Sequence, residues 1–238
     1  MEHLTPVCIT ARDLSEAWFM ALREILRKDD EGELLRRSYA IDRGSYEGER
    51  RLEFDYILVH ILYPGTRPLI PEIPPGMGIP APTSMEYVES YFSRYLMSDV
   101  LEPDEEYTYG ERLSGNPNQI EAVIRMYRES GGFGTNQATM EVGMPTDIGA
   151  SDPPCLRLVD TRISDGRLHF MVYFRSWDLW GGFPANLAGL QLMKEYMASE
   201  IGVADGEIIA ASKGLHLYDH VWEIAQKRAY LDEAIGNH

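Results

Sequence analysis

Cysteine is scarce. The chain of 238 residues holds two, Cys8 and Cys155. Two thiols in a chain this long make no disulfide framework, so both are expected to stay reduced. Basic residues are also few: 22 Lys and Arg stand against 38 Asp and Glu, a formal net charge of −16. Non-specific nucleic-acid binding needs a basic face that displaces counterions, so no nucleic-acid partner is expected. A small anion is still allowed, because a few arginines in a pocket set the local field. No apolar run reaches the roughly 18 residues of a membrane span, and no membrane partner is expected. The start, Met1-Glu2-His3-Leu4, has neither a basic cluster nor a long apolar segment, so a secretory leader is not expected and a cytoplasmic location is. Internal repeats and low-complexity tracts are lacking too.

Hydrophobic residues make up 44% of the chain, enough for a globular core, and the length suits a single domain over residues 1–238. Residues 13–28 read as an amphipathic helix, with Leu14, Ala17, Trp18, Ala21, Leu22 and Ile25 recurring at three and four. Asp13 and Glu16 suit an N-cap and capping box. Residues 52–62 read as one strand. Residues 64–82 carry seven of the fourteen prolines and read as an ordered excursion, since Ile70, Ile73, Met77 and Ile79 call for burial. A helix over 83–97 is capped by Thr83 with Glu86. Another over 116–128 aligns Ile120, Val123, Ile124 and Tyr127 on one side. Strands follow over 138–143, 156–163 and 167–174, the last two joined by the Asp165-Gly166 hairpin signal. Residues 186–201 are apolar almost all round, as in a buried helix. A short strand over 207–210 and a helical tail from 221 complete the chain.

Three stretches carry chemistry: Asp152-Pro153-Pro154-Cys155, the run from Arg175 to Asn186, and His216-Leu217-Tyr218. A thiolate is a strong, soft nucleophile that leaves easily after adding to carbon. A free thiol is mostly protonated at neutral pH, so it needs positive neighbours to ionise. Cys155 opens one strand of the hairpin and Arg175 closes the other, so the hairpin sets them side by side. That argument is local, and it predicts a thiol pulled down by a guanidinium. No metal site is expected.

These pieces together resemble the thymidylate synthase superfamily: the proline–cysteine turn, Arg175-Ser176-x-Asp178, Gly182-Phe183-Pro184-x-Asn186 and His216-x-Tyr218. The short archaeal-type members and the cytidylate hydroxymethylases look most similar. The resemblance implies an α/β (α+β) fold with a mixed, mostly antiparallel sheet flanked by helices, and a homodimer. It implies Cys155 and Tyr109 as catalytic residues. Arg43, Arg175 and Ser176 would hold the 5′-phosphate, Asn186 the base edge, and His216 with Tyr218 the sugar hydroxyl. Asp178 and Gly182 would face the cofactor, 5,10-methylenetetrahydrofolate, and the substrate would be a pyrimidine nucleoside monophosphate. An amide at Asn186 suits uracil or cytosine, because it can flip.

Two departures stand out. Where synthases lend their partner an Arg-Arg pair, this chain has Asn136-Gln137, leaving Arg125 or Arg128 to compensate. The chain also stops about twenty residues past Tyr218. A reduced closing segment favours water over hydride as the last acceptor. The expectation is therefore a CMP/dCMP 5-hydroxymethylase, with a dUMP-methylating thymidylate synthase or a non-catalytic nucleotide-binding relative as alternatives.

Overall fold

The computed structural model describes residues 3–42, 46–103, 105–131 and 135–230. The chain opens with β1 (Pro6–Ala11) and α1 (Leu14–Ile25), then β2 (Arg37–Ala40), β3 (Arg50–Glu53) and β4 (Tyr56–Ile61). Helices α2 (Met85–Ser90), α3 (Tyr109–Ser114) and α4 (Gln119–Glu129) follow the proline-rich excursion. Strands β5 (Thr139–Glu141), β6 (Leu156–Ser164), β7 (Arg167–Phe174) and β8 (Trp177–Asp178) lead into α5 (Gly182–Ile201). The last elements are β9 (Ala204–Ser212), β10 (Leu215–Tyr218) and α6 (Trp222–Arg228).

The architecture is the expected mixed α/β one, with antiparallel pairs in the majority, but the strands form two sheets. One has the order β1-β4-β9-β7-β6-β5 and the other β2-β3-β10-β8. The expected strand over 52–62 is split between them. β3 pairs with β10 in the small sheet and β4 with β1 and β9 in the large one. Phe54, fully buried, sits at the crossing, its N–H donating to Leu215 O at 3.0 Å. Asp55 beside it accepts from Thr5 N at 2.9 Å. These contacts come from distant parts of the chain, and strand propensity does not foresee them.

Helix α1 buries all six residues of its expected face. Asp13 caps it by accepting from Glu16 N at 2.9 Å, while the Glu16 carboxylate reaches Arg12 N instead of closing the box on Asp13. Ser84, not Thr83, caps α2. That helix then widens into a π-helical turn, Tyr91–Leu96, which the sequence pattern did not signal. Helix α4 buries Ile120, Val123, Ile124 and Tyr127 as expected. The excursion buries Leu69 and Ile79 against the core and packs Ile70, Ile73 and Met77 beside them.

The hairpin is as expected. Asp165 and Gly166 have φ of 52° and 70°, the paired left-handed conformation of a type I′ turn. Helix α5 starts four residues before Asn186 and runs for 20 residues through the core. It also buries Lys194, whose ammonium donates to Gly206 O and lies 3.2 Å from Asp205. Gly189 lets α5 approach the π-helical turn, since a Cβ there would meet the Tyr91 ring at 2.5 Å. Strand β9 is longer than the expected 207–210 because it pairs in parallel with β7 along its length.

Candidate active site

The hairpin places the thiol. Cys155, partly buried, precedes the first residue of β6, and Arg175 follows the last residue of β7. Arg175 N donates to Cys155 O at 2.8 Å. The guanidinium turns back over the proline turn. Its Nε lies 3.2 Å from both Pro153 O and Pro154 O, and its Nη2 donates to Pro153 O and to Asp152 Oδ1 at 3.3 Å. The side-by-side placement holds, but the expected electrostatic result does not. Burial pushes the Cys155 thiol up; Arg175 and Arg157 pull it back only in part, and Asp152 adds to the rise.

A buried ion triad lies beneath the turn. Asp147 Oδ2 accepts from Arg112 Nη1 at 2.9 Å, Arg157 Nη1 at 2.8 Å and Met144 N at 2.8 Å. Arg157 Nη1 also approaches Pro154 O at 3.3 Å, which ties the triad to the residue before Cys155. The hydrogen bond from Arg112 is the main reason the Asp147 carboxyl is held down at about 2. No spacing in the sequence marks these three residues as partners.

Tyr109 opens α3, capped by Thr108, whose hydroxyl accepts from Glu111 N at 2.9 Å. Its own hydroxyl oxygen accepts from Leu156 N at 3.3 Å, one residue from the thiol. Burial pushes the Tyr109 phenol well up, so it is a neutral hydroxyl. Beside it is a cavity of about 530 Å³ whose wall includes Tyr87, Tyr91, Tyr95, Tyr109, Arg94 and Asn186. The Tyr91 and Tyr95 rings stack at 5.6 Å, and Tyr95 meets Tyr109 edge-on at 4.9 Å. Arg94 is paired with Glu102 at 2.9 Å.

The remaining candidates converge from β8, α5 and β10. Asp178 Oδ1 accepts from Trp180 N, and Oδ2 from Gly181 N and Gly182 N, all within 3.0 Å, so this carboxylate anchors the start of α5. A Cβ on Gly182 would meet Asp178 Cβ at 3.3 Å and Asn186 Oδ1 at 3.6 Å. Asn186 Oδ1 accepts from Trp177 Nε1 at 2.9 Å. His216 pairs in register with Asp178. Its Nδ1 is bonded to Gly214 O at 2.8 Å, while its Nε2 is buried without a partner among the described residues. Burial lowers the His216 pKa, so the ring is neutral and Nε2 is an acceptor. The Tyr218 phenol is pushed up to about 12 chiefly by burial and next by the Asp178 carboxylate. Its ring meets His216 edge-on at 4.7 Å and Tyr46 at 4.4 Å. Ser176 is partly exposed between Arg175 and β8. Arg43 lies outside the described residues. Asn136 accepts from Arg162 at 3.3 Å, and Arg128 is ion-paired with Glu200 at 2.8 Å.

The family model described as thymidylate synthase matches residues 106–231. Three proteins from methanogens, each named "Putative thymidylate synthase", are similar along most of the chain. Those from Methanosarcina mazei and Methanosarcina acetivorans are each 34% identical over 92% of this chain and 92% of their own. That from Methanococcoides burtonii is 34% identical over 92% of this chain and 93% of its own. The chain belongs to the thymidylate synthase family. It is therefore an enzyme of the class that transfers a one-carbon unit to a pyrimidine. The family match runs over Tyr109, Cys155, Arg175 to Asn186, and His216 to Tyr218, and of these Tyr109 and Asn186 line the cavity. Among the described residues no helix is long and apolar enough to cross a membrane.

Proposed function

We propose that this chain transfers a one-carbon unit from 5,10-methylenetetrahydrofolate to C5 of a pyrimidine nucleoside monophosphate, through a Cys155 adduct at C6. The observation that carries the reading is the reach of the thiol. Cys155 is partly exposed, and the next residue, Leu156, donates its N–H at 3.3 Å to Tyr109, which lines the cavity. Attack forms the S–C6 bond, breaks the S–H bond, moves the C5–C6 π pair onto C5, and passes the thiol proton to solvent water, which the partly exposed Cys155 can reach. Carbon 5 then becomes the nucleophile that accepts the one-carbon unit. Tyr109 braces the backbone at Leu156. His216 Nε2, an acceptor, and Tyr218 suit a sugar hydroxyl. Arg175 and Ser176, with Arg43, are proposed to hold the phosphate.

The cavity wall fits the cofactor. Stacked tyrosines offer flat faces to a pterin ring, and Arg94 offers a cation to a carboxylate tail. When bound, the cofactor supplies the one-carbon unit. Asp178 accepts from three backbone amides, which leaves about one of its four lone-pair sites for a pterin N–H, and Gly182 keeps the floor beside it low.

The last acceptor, hydride or water, distinguishes a synthase from a CMP/dCMP hydroxymethylase. Dihydrofolate formation at the rate of turnover marks the synthase; a hydroxymethylated product without it marks the hydroxymethylase. The general reading is tested by incubating the protein with each pyrimidine monophosphate and the cofactor. Product with a C5 substituent is expected from the native protein and none from Cys155→Ser, which should still bind nucleotide. A fully active Cys155→Ser would refute the adduct. The same reading includes a single domain and a homodimer packed through the large sheet. Leu58, Leu158, Met171, Tyr173 and Ile209, all partly exposed, lie on its face away from α5. The two free cysteines are consistent with a reducing, cytoplasmic setting.

A further inference from the structure

An asparagine amide has a carbonyl that accepts and an NH2 that donates, exchanged by a half-turn of the side chain. Uracil and cytosine ask for opposite orientations. Uracil presents N3–H beside an acceptor at position 4; cytosine presents a bare N3 beside an amino donor. An Asn186 free to turn would read either base.

Trp177 blocks the turn. Its Nε1 lies 2.9 Å from Asn186 Oδ1. An indole N–H is a donor only, so it accepts the carbonyl as a neighbour and opposes the NH2. The indole is itself fixed. Trp177 is 2% exposed, stacked on Phe174 at 4.1 Å and packed on Phe183 at 4.6 Å. Its backbone N–H is also tied to Gly214 O at 2.9 Å. Asn186 also lines the cavity, beside the buried Tyr91. With the carbonyl held by Trp177, the NH2 is the part of the amide left for the cavity.

With the cofactor in that cavity, as proposed above, the cavity side is also where the one-carbon unit meets C5. Position 4 adjoins C5, whereas N3 is one atom further round the ring. The NH2 thus meets the position-4 group, and the second lone pair of Oδ1 is left for N3–H. We propose that Trp177 is a positioning residue that locks the Asn186 amide, so that the site prefers bases with a hydrogen-bond acceptor at ring position 4. This rests on the function proposed above and adds which base the site selects.

The test is calorimetric binding of UMP, dUMP, CMP and dCMP to the native protein and to Trp177→Phe, which keeps a flat ring and removes the donor. The native protein is expected to favour the uracil member of each pair by roughly tenfold or more, the scale set by an unsatisfied buried donor. In Trp177→Phe the ratio should fall to within about threefold while ribose 5-phosphate binds as before. A purely structural role would weaken all four nucleotides in parallel and leave the ratio intact, and that outcome overturns the proposal. A native preference for cytosine also overturns it. Should Trp177→Phe fail to fold, the native protein still decides, through the pyrimidin-2-one ribonucleotide that lacks a position-4 group. The order UMP, pyrimidin-2-one, CMP supports the lock, and CMP equal to or tighter than pyrimidin-2-one refutes it. If no nucleotide binds, the function proposed above falls and this inference with it; an unchanged ratio sinks this inference alone.

Discussion

Replacing Asp147 by Asn removes the one negative charge between two guanidinium groups. The Asp147 and Arg112 side chains are 5% and 10% exposed, and that of Arg157 is 24% exposed. Removing one partner of a buried ion pair costs about 3–5 kcal/mol, because the other charge is left uncompensated. Water reaches Arg157 in part, and an asparagine oxygen still accepts from Met144 N, so the lower end, about 3 kcal/mol, is the working figure. For a protein of this size each kcal/mol lowers the melting temperature by about 2–4 °C, which gives a drop of about 6–12 °C. The effect also has a pH signature. The Asp147 carboxyl lies below its ordinary value of 3.8, at about 2. A depressed carboxyl stabilises the fold above its unfolded-state pKa and loses that contribution as pH falls through the folded value. The gap between native and Asp147→Asn proteins should be full at neutral pH and close between pH 3.8 and about 2. Calorimetric melting of both proteins across that range measures it. A gap under about 1 kcal/mol at neutral pH, or one that does not narrow in acid, would show that the triad is not the anchor described.

Two further outcomes follow from the site and the sheet. In a Cys8→Ser background, iodoacetamide labelling of Cys155 should accelerate with pH through a midpoint above that of an ordinary thiol, and Arg175→Met should move it higher still. A midpoint below the ordinary value would mean that the guanidinium outweighs burial. The native protein should sediment as a dimer and Met171→Asp, which puts a charge on the outer face of the large sheet, as a monomer. A native monomer at micromolar concentration would refute the sheet-to-sheet pairing.

What could be read from the sequence was local. The face of α1, the face of α4 and the Asp165-Gly166 turn depend on residues a few positions apart, and all three stand as expected. Motif residues were legible for the same reason. Cys155 and Arg175 are distant in sequence but close through a hairpin whose turn announces itself. Position alone did not give their energetics. The pattern names the guanidinium beside the thiol and says nothing of how much water the thiol loses, and desolvation decides the sign. The split at Phe54-Asp55 depends on Leu215 and Thr5. The first turn of α5 was hidden because its cap is a carboxylate four residues upstream, in a stretch whose glycines and proline read as loop. The triad joins α3, the segment before Cys155 and β6, and no periodicity connects them.

Arg175 bears on how the thiol is activated. Among the described residues, its Nε and Nη2 hold the Pro153 and Pro154 carbonyls and Asp152. A phosphate taken up on the remaining Nη1 would bring negative charge toward the thiol and raise it further, not lower it. The protein at rest therefore keeps Cys155 protonated, and nucleotide charge does not ionise it in advance. Within the proposed reaction, the proton has to leave as the S–C6 bond forms, with the pyrimidine ring drawing the electron pair toward C5. That order suits a buried site. It withholds a reactive thiolate until a base is in place, and it makes the fit of the base at Asn186 a condition for chemistry as well as for binding.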